Sequence, residues 1–188
     1  MKKILFLIAF FVALSFGAQS IEVKTLVIVS HPYYEKSTFI KALAQSLNQI
    51  KNLQIRNLDE IYGTDTRKIE GEKEREIMRG VDRVVFLFPT HWFNITPMMK
   101  AYLNETWGNV GPNLWQGKEM LVVSTAAGGS STYGKNGRIG VELKDVFLPM
   151  KASAMHAGMK YLEPLVFDNV YSRDIKEMQD ALIDRLKQ

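Results

Sequence analysis

The chain has no cysteine among its 188 residues. That excludes disulfides, thiolate nucleophiles and cysteine-ligated metals. Histidine is scarce as well. His31, His91 and His156 are the only three, and their separations match no metal-ligand spacing, so no metal site is expected. Charge of one sign never accumulates: in "RKIEGEKEREIMR" glutamates stand between the basic residues. Without a basic stripe, no nucleic-acid partner is expected. Several catalytic signatures are missing too. "GGSST" lacks the Gly-x-Ser-x-Gly spacing of a nucleophile elbow. Gly134, Gly137 and Gly140 do not make the dinucleotide fingerprint, and they do not directly follow a strand. No internal repeat, low-complexity tract or linker divides the chain.

What is present reads as one globular domain behind a leader. Hydrophobic residues make up 46% and charged residues 23%, with a formal charge of +4. These values suit a single domain with a real core. The first twenty residues, "MKKILFLIAFFVALSFGAQS", differ from the rest. Lys2 and Lys3 precede an apolar run from Ile4 to Phe16 and then small residues, the pattern of a secretory signal peptide. Cleavage after Ser20 or after Gly17 would each use small residues at the required positions. The run is short for a membrane span, which needs roughly 20 residues. A buried N-terminal strand or an uncut anchor are the competing readings. The expected division is therefore a signal peptide at 1–20 and a domain at 21–188. Export, to a periplasm or its equivalent, is the expected location and the cytoplasm the alternative.

From Val23 onward strands and helices alternate. "VKTLVIVS", "LQIRNL", "RVVFLF", "KEMLVVST" and "YLEPLVF" read as five strands, the first nearly continuous in apolar residues as a buried parallel strand is. Between them, "STFIKALAQSLNQI" places Phe39, Ile40, Leu43, Leu47 and Ile50 on one helical face, with Ser37 or Thr38 as its cap. "EGEKEREIMRG" reads as a charged, exposed helix ending at Gly80. A further helix begins near Pro97, and another spans "VELKDVFLPMKASAMHAG" with a break at Pro149. "RDIKEMQDALIDRLKQ" closes the chain as an amphipathic helix. The order predicts a doubly wound, five-stranded parallel sheet with helices on both faces.

In such sheets ligands bind outside the carboxyl ends of the strands. Three loops leave those ends. "SHPYYEKST" offers hydroxyls and free N–H groups at a helix start, an anion site, against the plainer reading of an N-cap by Ser37. "PTHWFNITP" carries Trp92 and Phe93 between Pro89 and Pro97, either as walls for a planar ligand or as a pair packed beneath the loop. "STAAGGSSTYGKNGRIG" brings Gly128 and Gly129, which permit close backbone approach, and the Tyr133 hydroxyl.

Together these loops resemble the flavodoxin-like NAD(P)H:quinone oxidoreductases, a group that includes ancillary proteins of bacterial potassium-efflux systems. The resemblance covers about residues 23–187 and rests on "VSHPYYEKST", "FLFPTHWFNITPMMKAYLNETW", "GGSSTYGKNGRIG" and "LPMKASAMHAGMKYLEP". It implies a flavodoxin-like fold, a flavin (FAD or FMN), NAD(P)H as electron donor and a quinone or similar acceptor, served in ping-pong order. Carried over, Pro89, Thr90, His91, Trp92, Phe93 and Asn94 line the isoalloxazine. His31, Ser37, Thr38 and Phe39 hold the phosphate and ribityl region. Gly128, Gly129 and Tyr133 close the pyrimidine side. A homodimer is implied as well.

The chain departs from the family in places. Ala126 and Ala127 replace paired threonines, Ile40 a frequent Asn, and Asn104 an acidic residue. Ile139 stands where the animal enzymes have a His. With that His missing, Arg138 or Lys135 is left to meet charge on the reduced flavin, and Tyr133 and Arg138 are the expected catalytic pair. The departures also motivate an alternative: a flavin-binding regulatory or electron-transfer module with little turnover, acting on a membrane-associated redox partner.

Overall fold

The computed structural model describes residues 20–107 and 114–188. The N-terminal run read as a leader lies outside them up to residue 19. Six strands form one parallel sheet. They are β1 (Ser20–Val29), β2 (Lys51–Asn57), β3 (Arg83–Pro89), β4 (Glu119–Thr125), β5 (Lys160–Tyr161) and β6 (Leu165–Phe167). Their order is β2-β1-β3-β4-β5, with β6 also paired to β4. β5 and β6 share the edge of β4, at Glu119–Met120 and at Val123–Thr125. The expected fifth strand is thus one sheet position in two pieces. Pro164, which has no N–H for the ladder, falls in the gap between them.

Side chains alternate across the central strands and build two cores. Leu26, Ile28, Val84, Phe86, Phe88, Met120 and Val122 face one way. They meet Met78 of α3 (Gly71–Arg79), Met99 and Tyr102 of α4 (Pro97–Trp107) and Met150 and Ala154 of α5 (Leu148–His156). Val27, Val29, Val85, Leu87, Leu121 and Val123 face the other way. They meet Leu43 and Leu47, on and just after α1 (Phe39–Ser46), and Met178 and Leu182 of α6 (Ile175–Lys187). Helices cover both faces, as the continuous apolar strands require. A five-residue helix α2 (Leu58–Tyr62), absent from the sequence reading, follows β2 directly. Pro149 does not break α5 but sits in its first turn, after a 3-10 turn at Leu143–Phe147.

α3 corrects an expectation. It ends at Arg79 with Gly80 as cap, but it is not simply a charged solvent face. Glu74 is fully buried. Its carboxylate accepts from Arg56 of β2, at 2.8 Å from Nε, and from the hydroxyls of Tyr62 and Tyr102, the latter at 3.3 Å. Burial and the Glu74 charge push the Tyr62 hydroxyl up to about 12, so it remains a donor. The four partners come from α3, β2, α2 and α4, and hydrophobic patterning does not bring them together.

Removing Glu74 leaves the Arg56 guanidinium largely buried without its counter-charge. Glu74→Ala is expected to lower unfolding free energy by about 3–5 kcal/mol. Denaturant titration checks this, and a loss under about 1 kcal/mol would show the ion pair to be dispensable.

Candidate functional site

Three loops converge at the carboxyl ends of β1, β3 and β4, and hydroxyl pairs tie them to one another. Ser30, after β1, shares a 2.5 Å hydrogen bond with Thr96 in the loop after β3, and both side chains are buried. Thr90 and Ser124 pair at 3.0 Å. Ser124 also donates to the Phe88 carbonyl at 2.9 Å, which leaves Thr90 the donor within the pair. The Thr90 N–H meets the Thr125 carbonyl at 2.7 Å. Each loop is thereby held to its neighbour before any ligand arrives.

The first loop turns on His31. Its N–H donates to Asp59 Oδ2 at 2.7 Å, and its Nδ1 accepts from the Tyr33 N–H at 3.0 Å. A neutral imidazole with Nδ1 accepting carries its proton on Nε2. Burial and the nearby His91, whose ring lies edge-on at 6.2 Å, hold His31 below its ordinary value, with Asp59 pulling the other way. Further along, Ser37 Oγ accepts from the Ile40 N–H at 3.2 Å and so caps α1. The Thr38 hydroxyl makes no cap bond, and the N–H groups of Thr38 and Phe39 find no acceptor among the described residues.

The second loop is a tight reversal. His91 and Asn94 exchange two backbone hydrogen bonds, both of 2.9 Å, around Trp92 and Phe93. Both central residues have positive φ, 45° and 58°. This is the mirror-image sense of turn that Gly and Asn ordinarily occupy. A side chain there costs roughly 1–2 kcal/mol per residue. The turn swings Trp92 outward, 94% exposed, so it is no core residue. Phe93 is turned toward Tyr133, edge-on at 6.0 Å.

The third loop closes the other side. Tyr133 is mostly buried, and burial together with the Asp168 charge raises its hydroxyl, which keeps its proton. Gly128 and Gly129 prove to be required by the chain's own packing. A Cβ at Gly128 would lie 2.8 Å from Thr132 Oγ1, and one at Gly129 would lie 2.9 Å from Asn169 Cβ.

Between the loops lie two adjoining cavities, of about 290 and 490 Å³. Thr90, His91 and Ala127 line both, so the two form one cleft. The first gathers His31, Ser37, Thr38, Phe39 and Pro89. The second gathers Trp92, Phe93, Gly128, Tyr133 and Arg138. Asn94 and Gly129 stand back from the cleft. Asn94 accepts from the Ile95 N–H at 2.9 Å within the turn, and Gly129 packs against Asn169. Lys135, the alternative to Arg138, lines neither cavity. Asn104 is exposed on α4, and Ile139 packs against the core.

The sequence reading missed Thr125, Thr132, Val170 and Tyr171. The last two lie beyond β6 on a fourth loop at the same end of the sheet, which the rule of carboxyl ends could have included. Thr125 is 4% exposed, lines the first cavity, and makes no side-chain hydrogen bond among the described residues. Its hydroxyl is therefore free to meet a ligand in the cavity. With the Thr38 hydroxyl, the free N–H groups at α1 and Lys36 at the rim, this end suits a phosphorylated polyol. The aromatic edges of the second cavity suit a flat ring. The residues present therefore fit a flavin nucleotide.

A family described as "Flavodoxin-like fold" matches residues 23–188. The chain belongs to that family. Among curated relatives, general stress protein 14 of Bacillus subtilis is 30% identical over 174 residues, covering 88% of this chain and 98% of that one. The uncharacterized NAD(P)H oxidoreductase YrkL of the same organism is 28% identical over 173 residues, with 87% and 98% covered. A solved structure of general stress protein 14 from Treponema denticola, in complex with FMN, superposes with a TM-score of 0.79 at 22% identity, over 87% and 97% of the two chains. These three proteins are thus matched along nearly their whole length.

The lowered His31 value gives this flavodoxin-like protein a defined acid response. The folded pKa lies below the unfolded one, about 6.5. The His31 contribution to stability is complete above about pH 6.5 and is lost as pH falls through the folded value. An anion seated beside the imidazole acts in the opposite direction. In NMR titrations of the flavin-free protein, His31 is expected to titrate below 6.5 and to shift upward on adding inorganic phosphate. A value unmoved by saturating phosphate would remove the anion site from this end of the cleft.

Proposed function

We propose that the chain is a flavin-dependent NAD(P)H oxidoreductase that reduces a quinone or similar flat acceptor in ping-pong order. The observation that carries this reading is the two-part cleft, with an anion-suited end that includes the unpartnered Thr125 hydroxyl and an aromatic end at Phe93 and Tyr133. The names of relatives agree, one being an NAD(P)H oxidoreductase and one structure holding FMN. When bound, the flavin supplies the two-electron chemistry, accepting hydride from reduced nicotinamide and delivering electrons to the acceptor. The protein's own residues orient and neutralise. Thr125, Thr38 and the free N–H groups at the start of α1 hold the phosphorylated chain. Thr90 and His91, fixed by the ties between loops, hold the ring at the join of the two cavities. The Tyr133 hydroxyl, kept protonated, donates a hydrogen bond at the aromatic end. Arg138, with no ion pair among the described residues, supplies positive charge where negative charge develops. Phe93, Tyr133 and Arg138 line the same cavity, where donor and acceptor would bind in turn.

Two further readings belong to this proposal. The leader is removed and the domain begins near residue 21, in keeping with a family match that starts at 23. No helix of the described residues is long and apolar enough to cross a membrane. Sequencing the mature N-terminus decides this, and an intact Met1 in purified native protein would refute cleavage. The protein also forms a homodimer. Leu148 and Met155, two turns apart on α5, are 54% and 65% exposed while Met150 and Ala154 of the same helix are buried, leaving an apolar stripe outward.

Purified protein is expected to be yellow and to oxidise NADH or NADPH only when a quinone is supplied. Thr125→Val is expected to weaken flavin binding about tenfold, near the worth of one buried hydrogen bond, with apoprotein stability changed by less than about 1 kcal/mol. A colourless protein that takes up neither FMN nor FAD refutes the reading.

A further inference from the structure

A third cavity, of about 540 Å³, is larger than either half of the cleft. Tyr133 is the one lining residue it shares with the second cavity, so the two adjoin at that residue. Its other walls carry polar groups of complementary kinds: Lys135 and Lys144, Glu142 and Asp168, Ser130 and Asn136. Two of the charges are already committed. Lys144 pairs with Glu163 at 3.2 Å and Asp168 with Arg173. Lys135 and Glu142 have no ion pair among the described residues.

The loop that builds this cavity is held by its own backbone hydrogen bonds. Gly134 bonds to the Val141 carbonyl, Gly137 to that of Gly134, Arg138 to that of Ser131 and Ile139 to that of Thr132, all within 2.9–3.1 Å. Gly137 is obligatory, since a Cβ there would fall 2.3 Å from the Tyr133 carbonyl oxygen. Gly134 has φ of +92°, and the two N–H groups that follow it, of Lys135 and Asn136, have no acceptor among the described residues. Successive free N–H groups beside a left-handed residue form a concavity that accepts anionic oxygen. The Lys135 ammonium stands on the same stretch.

We propose that this third cavity seats the ribose–phosphate half of the reduced nicotinamide dinucleotide while its nicotinamide end reaches past Tyr133 into the cleft. The proposal rests on the flavoenzyme reading above and names where its donor binds. A dinucleotide has two ends and needs two adjoining chambers. Here they meet at Tyr133, with Arg138 lining the cleft side and Lys135 the other. Lys135 and the paired N–H groups meet the diphosphate, where charge-assisted bonds are strong. The Glu142 carboxylate, an acceptor only, meets ribose hydroxyls.

The test compares NADH and NADPH with reduced nicotinamide mononucleotide, which lacks the adenosine half, and probes the third cavity separately with ADP-ribose. In the full chain, kcat/KM for the better dinucleotide is expected to exceed that for the mononucleotide by at least about tenfold. Lys135→Glu is expected to collapse this ratio toward one. ADP-ribose is expected to bind the flavin-free chain by calorimetry, with NMR shifts confined to Tyr133–Gly140 and Glu142, and to bind Lys135→Glu at least about tenfold more weakly. A ratio unchanged by Lys135→Glu, or ADP-ribose binding indifferent to it, overturns the proposal. The two readings fail separately. A yellow enzyme that uses the mononucleotide as well as the dinucleotide refutes only the third cavity's role. A chain that holds ADP-ribose through Lys135 but takes no flavin refutes only the flavoenzyme reading.

Discussion

The cleft depends on one constraint, the parallel register of β1, β3 and β4. Val29 pairs with Leu87, Leu87 with Val123 and Pro89 with Thr125, so the three strands end almost level. Parallel strands whose faces are both covered by helices open only at their ends. The loops after them must therefore emerge side by side, over one patch of backbone. The pairs Ser30–Thr96 and Thr90–Ser124 convert that proximity into a fixed arrangement, because a buried hydroxyl without a partner is unfavourable. Each residue of the cleft inherits its position from these ties.

Rigidity and strain have different addresses in the molecule. At the far edge of the sheet, Glu74 draws Arg56, Tyr62 and Tyr102 from three other elements into one buried network, which makes α2, α3 and β2 mutually dependent. In the cleft, the strained pair is Trp92 and Phe93, both with positive φ. Strain persists only where surroundings over-determine it. Here the reciprocal His91–Asn94 bonds and the Thr90 ties hold the turn, and the result is to aim Phe93 at Tyr133 instead of packing it beneath the loop. The two glycines after β4 serve the same end by a different route, letting Thr132 and Asn169 close over the loop backbone.

Much of this was legible without coordinates. The continuous apolar strands and the 3.6-residue faces of α1 and α6 determined the doubly wound sheet and its two cores, because burial on both faces leaves a strand no polar position to alternate with. The rule of carboxyl ends located three of the four loops that line the cleft. The resemblance to the flavodoxin-like reductases, with its departures, pointed within them to His31, Ser37, Thr38, Phe39, Pro89–Phe93, Gly128, Tyr133 and Arg138, which line the two cavities. Tertiary structure decided what local pattern could not express. Glu74 looks like any glutamate of a charged helix until Arg56 and two tyrosines reach it from distant segments. Pro164 falls between two short strands that nonetheless share one position on the edge of β4. Thr125 looks like the last residue of a buried strand, and only the fold shows that it lines a cavity. The split between Arg138 and Lys135, three residues apart, is set by a hydrogen-bonded loop that puts them in different cavities lined by the same tyrosine. The physical reason is common to all four. Sequence patterning reports which face of an element is dry, whereas charge pairs, free hydroxyls and cavities are properties of the space between elements.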